Sequence, residues 1–334
     1  MVGQMIGCYV TGVFPKPKEL IEVTRAYDRK RVTDDVLEKA FQEATVQVIE
    51  MQISSGLSYV TDGMLKWNDL LRPFAENLEG LKVGSLARWF NNNTFYRKPI
   101  VEGVIRHSGN VFEKTMYPEF LPQKVPWKAI LPAPYTFAKL SENKFYRMET
   151  ELMFAIAEAL NREIKVLAGK GFKYVQLSDP ALVYNPLNKP VRKDVLADVE
   201  EALKIALKGV KVRTCLQTFF GDFSQILPEA LDFPVDDLGV DFYESNLERV
   251  REYRFDKGVA LGVVDARSVL VEDVGELFHA VCELVEQVYS SKNWNVFVCP
   301  NCDLEFLPWT RVEEKMRVLG ILAEHLRSEL SSFE

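Results

Sequence analysis

Several side chains able to do chemistry stand where short apolar runs stop: Asp62, Asp179, Gln217, Asp241, Asp265, Arg267 and Cys302, with Asn68 a little beyond the second run. Carboxylates beside an amide and a guanidinium could hold the ammonium and carboxylate of a small zwitterion. The same groups could instead tie loops to backbone amides. Cys299-Pro300-Asn301-Cys302 is a Cys-x2-Cys pair, a pattern that binds zinc or exchanges disulfides. A zinc ribbon needs a second such pair, which the chain lacks, and redox pairs open a helix in a thioredoxin-like unit. No metal is expected; one bound here would draw on Cys299, Cys302 and Asp241.

The elements that must position these groups alternate along the chain. Strand-like runs occur at Ile6–Val10, Leu57–Thr61, Lys128–Leu131, Tyr174–Leu177, Val210–Leu216, Leu238–Asp241, Val259–Val264 and Val296–Cys299. Helical periodicity follows them, as in Val36, Leu37, Ala40, Phe41, Ala44 and Val48 behind the capping sequence Thr33-Asp34-Asp35. Val274, Leu277, Phe278, Val281, Val285 and Val288 repeat the pattern, and Val312, Met316, Leu319, Ala323 and Leu326 close it. His279 and His325 lie on or beside these stripes and read as structural. Eight βα units predict an α/β protein, a single (β/α)8 TIM barrel over residues 1–334. Residues 81–126 break the rhythm with Asn91-Asn92-Asn93 and an alternating Pro99–Ile105, predicting a β-hairpin insertion after the second strand, over the C-terminal face. In such a barrel the strand ends named above share one face.

Composition narrows the function classes. A net charge of −7 would repel a phosphate backbone, so nucleic acid is a poor partner. No run approaches the apolar length of a membrane span, and the N-terminus lacks signal-peptide character, so a cytoplasmic protein is expected. Five cysteines in 334 residues suit reduced thiols; Cys8, Cys215 and Cys282 sit in apolar runs as small hydrophobes.

The strand ends also carry a resemblance, through Gly12-Val13-Phe14-Pro15, Thr61-Asp62-Gly63-Met64, Arg88-Trp89-Phe90-Asn91-Asn92-Asn93, Pro132-Ala133-Pro134-Tyr135-Thr136, Ser178-Asp179-Pro180-Ala181-Leu182, Gln217-Thr218-Phe219-Phe220-Gly221-Asp222, Gly262-Val263-Val264-Asp265-Ala266-Arg267 and Cys299-Pro300-Asn301-Cys302. Taken in order, over nearly the whole chain, they resemble the cobalamin-independent methionine synthase family. That family's enzyme is a tandem of two related barrels. The C-terminal barrel binds zinc through a His-x-Cys pair, a Glu and a final Cys, and the zinc activates the homocysteine thiol. The resemblance places Gln217, Phe219, Asp241 and Cys302 at those four positions. Met64 stands at the homocysteine-binding Glu, Ser178 at an aspartate, and Leu140 roughly at the aromatic on which folate stacks. Segments 88–96, 216–222 and 261–269 instead resemble the N-terminal, non-catalytic barrel.

The resemblance thus implies an N-terminal-type subunit of a split methionine synthase, with a separate zinc-bearing catalytic barrel as its partner. Lys16, Lys18, Arg72, Arg88, Arg97 and Lys98 are the cations that could meet the polyglutamate tail of the folate methyl donor. Two alternatives remain open: an autonomous homocysteine methyltransferase with an altered metal site, and an inactive ligand-binding regulatory barrel.

Overall fold

The computed structural model describes residues 5–107, 111–187, 189, 191–289 and 295–331. The extreme ends of the expected 1–334 domain, and residues 108–110 of the expected insertion, lie outside them. Ten strands appear in chain order: β1 (Met5–Cys8), β2 (Glu79–Arg88), β3 (Phe95–Arg106), β4 (Lys128–Pro132), β5 (Glu142–Asn143), β6 (Tyr174–Ser178), β7 (Arg213–Gln217), β8 (Asp237–Asp241), β9 (Gly258–Val264) and β10 (Asn295–Pro300).

Seven of them form one curled parallel sheet in the order β1-β10-β9-β8-β7-β6-β4. β4, β6, β8 and β9 are buried at every position, the signature of parallel strands covered on both faces. Helices such as Glu149–Gly169, Lys193–Leu207, Val274–Val288 and Trp309–Ser331 supply the cover. None of the described helices is long and apolar enough to cross a membrane.

The expected strand Leu57–Thr61 is reduced to a single parallel bridge, Val60 with Trp127. The reason is local. The Cys8 amide donates to the Ser58 hydroxyl at 3.0 Å, so a side chain takes a place that a ladder carbonyl would occupy. Only the Ser58 amide returns to the Cys8 carbonyl, at 2.9 Å, while Lys128 N donates to Val60 O at 2.9 Å. This segment therefore touches both β1 and the residues leading into β4. Thr33 precedes the helix Asp34–Ser54 as expected, but its side chain makes no capping hydrogen bond.

β2 and β3 pair antiparallel, and β3 pairs parallel with the short β5. The pair stands outside the main sheet. At its turn Phe90 contacts Phe220 and Tyr184, with ring centroids 5.7 and 5.0 Å apart, so the turn reaches the C-terminal ends of the barrel strands.

Inside the sheet runs a polar column. Arg213 Nε donates to Asp237 Oδ2 at 2.6 Å, and the Tyr174 hydroxyl donates to the same oxygen at 2.6 Å. Tyr174 and Tyr9 share a hydroxyl contact of 3.1 Å. The Lys128 ammonium sits 3.5 Å above the Tyr9 ring and donates to Val10 O and Gln176 Oε1 at 2.7 and 2.5 Å. Gln176 in turn donates to Thr11 O and Ser178 Oγ. Cys215 and Cys299 pack beside these rings. A buried cation is tolerated here because aromatic faces and carbonyl oxygens replace its water.

Candidate functional site

β6, β7 and β8 end side by side, and their registers place Ser178 opposite Gln217 and Gln217 opposite Gly239. Gln217 fits only because position 239 is glycine: a β-carbon there would lie 2.5 Å from the Gln217 amide carbon. The next residue after β6, Asp179, donates its backbone amide to Gln217 O at 2.8 Å. Its Oδ1 accepts from the Thr136 amide at 3.1 Å and from the Thr136 hydroxyl at 2.5 Å. Asp179 and Gln217 are both 0% exposed. Yet Asp179 Oδ2 and Gln217 Nε2 have no hydrogen-bond partner among the described residues. Buried polar atoms are normally paired, so an unpaired acceptor and an unpaired donor on adjacent strand ends suit a polar ligand. Burial raises the Asp179 carboxyl to about 7 against the Thr136 hydrogen bonds, so it holds its proton readily until a cation arrives.

Asp241, Asp265 and Arg267 belong to a second group, joined by Asn301. The Asn301 side-chain amide reaches Asp241 Oδ1 at 3.4 Å and Asp265 Oδ1 at 3.5 Å, while its oxygen accepts from Ala266 N at 2.9 Å. Asp241 also accepts from Tyr243 N at 2.9 Å and Phe220 N at 3.4 Å; burial pushes it up to about 6. Arg267 pairs with Glu244 and lies over Phe220. The adjoining cavity, about 310 Å³, is lined by Asn91, Asn92, Tyr184, Phe220, Asp222 and Arg267. Phe220 takes φ 66° and Met64 takes φ 55°, a backbone region that costs non-glycine residues energy and often marks functional loops. Asp62, raised to about 6 by burial, caps its own turn by accepting from Met64 N at 3.0 Å.

The two cysteines of the Cys-x2-Cys pair part company. Cys299 packs with Tyr9, Tyr174 and Cys215 in the interior column, whereas Cys302 belongs to the main core, its carbonyl accepting from Thr11 Oγ1 at 2.8 Å. Burial pushes the Cys302 thiol well above its ordinary value. Phe219 is 1% exposed and packs edge-on against Phe220 at 4.7 Å. Among the described residues no three His, Cys, Asp or Glu side chains gather where they could hold a metal. An amide and a phenyl ring leave only one carboxylate and one thiol of the four, and two such donors do not make a tetrahedral zinc site.

The expected cations divide. Lys16, Lys18 and Asn68 line a cleft of about 630 Å³ beside the loop after β1. Arg72 pairs with Glu76 at 2.5 Å. Arg88, Arg97 and Lys98 lie on the β2–β3 pair, Arg97 reaching Gly84 O at 3.2 Å. Sequence reasoning overlooked Asn301 as the bridge between two acids, and it overlooked Asp303 and Glu305. Asp303 accepts from Val13 N at 3.1 Å, and a β-carbon on Gly12 would lie 1.6 Å from its Oδ1. The Gly12 and Asp303 pairing across the chain carried no local signal.

The model of the family described as cobalamin-independent synthase, catalytic domain, matches residues 7–325. The methionine synthase of Saccharolobus solfataricus is 30% identical over 307 residues, covering 89% of this chain and 88% of its own. That of Sulfolobus acidocaldarius is 28% identical over 301 residues, covering 90% and 86%. Among solved structures, a B12-independent methionine synthase from Shewanella, in complex with selenomethionine, superposes with a TM-score of 0.80 at 20% identity, covering 98% and 99%. A methyltransferase from Methanosarcina mazei superposes at 0.64 with 15% identity, covering 98% and 95%. At these identities the two structures speak for the fold alone.

Proposed function

This chain belongs to the cobalamin-independent synthase catalytic-domain family, and from that premise we propose that it serves methyl transfer to homocysteine as a barrel without a thiol-activating metal, beside a separate zinc-bearing catalytic barrel. The family model that matches is the catalytic domain's; the N-terminal-type assignment is our own reading of positions 217, 219, 241 and 302. The observation that carries it is the pair of unpaired atoms, Asp179 Oδ2 and Gln217 Nε2, standing where family zinc chemistry has no suitable donors.

In this reading Asp179, steadied by Thr136, accepts the ammonium of an amino-acid ligand, and Gln217 donates to its carboxylate. Residues 57–61 act as the eighth stave that closes the (β/α)8 barrel. The β2–β3 insertion covers the mouth, and Lys16, Lys18, Arg88, Arg97 and Lys98 face a folate polyglutamate tail. The setting is the cytoplasm. Within the proposal, homocysteine thiolate is made by the partner, because a free thiol of pKa about 8.5 is mostly protonated at neutral pH.

The experiment is methionine formation from methyltetrahydrofolate and homocysteine by this chain alone, by a catalytic barrel from the same cell, and by both, with zinc measured in each. The expected result is no turnover and well under one zinc per chain alone, and a raised rate on mixing. A second reading, an autonomous methyltransferase, is favoured by the catalytic-domain match along residues 7–325; turnover by the isolated chain would select it. An unchanged rate on mixing would point to a regulatory barrel.

A further inference from the structure

The cleft beside the loop after β1 has a composition unlike the barrel mouth. Phe14, Ile21, Leu307, Pro308 and Trp309 give it apolar walls, and its volume of about 630 Å³ lies within the ordinary range for small-molecule sites. Trp67 forms part of that wall at 2% exposure, and its indole Nε1 is buried with no acceptor among the described residues. A buried indole N–H usually finds a partner. Lys16, also in the wall, makes no ion pair with an acid among the described residues; it lies 5.6 Å from the Phe41 ring and is near enough to Glu305 and Asp28 to feel their charge. Glu305 completes the polar set and makes no hydrogen bond or ion pair among the described residues.

An ionised Glu305 would repel an anion here. Burial, with Asp303 and Asp69 nearby, pushes its carboxyl up to about 8 against the opposing pull of Lys16. That shift favours its protonated form, which donates an O–H. Residues carrying an ammonium, an indole N–H and a carboxyl group thus line a space walled by rings.

We propose that this cleft is a binding site for a small apolar carboxylate, its anionic head on Lys16, Trp67 and Glu305 and its apolar body against Phe14 and Trp309. The inference uses neither Asp179 nor Gln217, but it gives Lys16 to a small carboxylate where the proposed function gives it to a polyglutamate tail. Above pH 8 the ionised Glu305, facing Asp303, Asp69 and Lys16 with Lys18, Glu22 and Arg25 at the cleft edge, turns from donor to repellent and the site empties.

The test is calorimetric titration of the full chain with benzoate, inorganic phosphate and a triglutamate peptide. Benzoate is expected to bind saturably at pH 6.5 and at least tenfold more weakly at pH 9. Lys16→Ala should lose at least tenfold, and Trp67→Phe, which keeps the ring and removes the N–H, several-fold. Glu305→Gln should bind at both pH values with little difference. Circular dichroism of each variant separates lost binding from lost folding. Absence of benzoate binding, equal binding by folded Lys16→Ala, or phosphate binding as tight as benzoate would overturn the proposal. Binding of triglutamate alone would also overturn it, and would favour the polyglutamate contact instead.

Discussion

The interior column and the barrel mouth are both polar, both buried, and separated by little more than the length of a strand, yet they are built to opposite rules. In the column the charged groups are answered: Asp237 by Arg213 and Tyr174, Lys128 by Val10, Gln176 and the Tyr9 ring. At the mouth, Asp179 and Gln217 each keep one atom unanswered. A satisfied buried network stiffens and specifies a core, whereas an unsatisfied one costs stability and is kept where something else is to be bound. The difference assigns the column to the fold and the mouth to a ligand, even though the column holds the more unusual residues.

The largest expected effect tests the column. Asp237→Ala would strand the Arg213 guanidinium, whose side chain is only 15% exposed, without its carboxylate. Breaking a buried pair from one side costs about 3–5 kcal/mol. Urea unfolding should show that loss, and a drop below about 1 kcal/mol would mean that the column is not what holds this part of the core.

Next in size is a pH effect carried by Lys128. Burial pulls its ammonium down to about 7, against about 10.4 in an unfolded chain. Between these values the unfolded state binds more protons, so this group's penalty is full below pH 7 and relaxes as pH rises. Cys215 opposes this once unfolded thiols ionise, because burial holds its own folded value up at about 12. Asp179 and Glu305 also titrate in this range, but they are common to the native chain and Lys128→Met and cancel in the comparison, so the window for Lys128 is about pH 7 to 8.5. There the stability of the native chain, relative to Lys128→Met, should rise by about 1 kcal/mol per pH unit. Parallel curves for the two proteins would show that Lys128 keeps its charge state on folding.

How much of this could be read from the sequence follows the same division. Asp62, Asp179, Gln217, Asp241, Asp265 and Cys302 all stood at ends of apolar runs, and the runs themselves mark where parallel strands stop. Periodicity is local, and it suffices for that. The column was hidden because Lys128, Tyr174 and Arg213 each look like an ordinary strand-flanking residue until curling of the sheet brings them together. The same holds for Asn301, whose two acids lie 60 and 36 residues away along the chain. The run 57–61 misled in the other direction. Its apolar pattern was right for a strand, and the hydroxyl of Ser58 took the Cys8 amide from the ladder.

The smallest stability effect belongs to the mouth, and it discriminates most sharply between the two regions. Gln217→Met keeps an unbranched side chain of similar length beside Gly239 and removes the unanswered amide. Deleting this amide forfeits only the weak contact that its Oε1 accepts from the Cys215 thiol at 3.9 Å, so stability should change by less than about 1 kcal/mol, with a gain as acceptable as a loss. Ligand recognition should move in the opposite sense, because the donor facing the bound carboxylate is gone. Urea unfolding and homocysteine titration on the same preparation read both quantities. The expected outcome is an unfolding midpoint close to the native one together with at least tenfold weaker binding. A fall of 2 kcal/mol or more would show that Gln217 Nε2 is answered within the fold, which would place the mouth under the same rule as the column and remove the ligand from the argument.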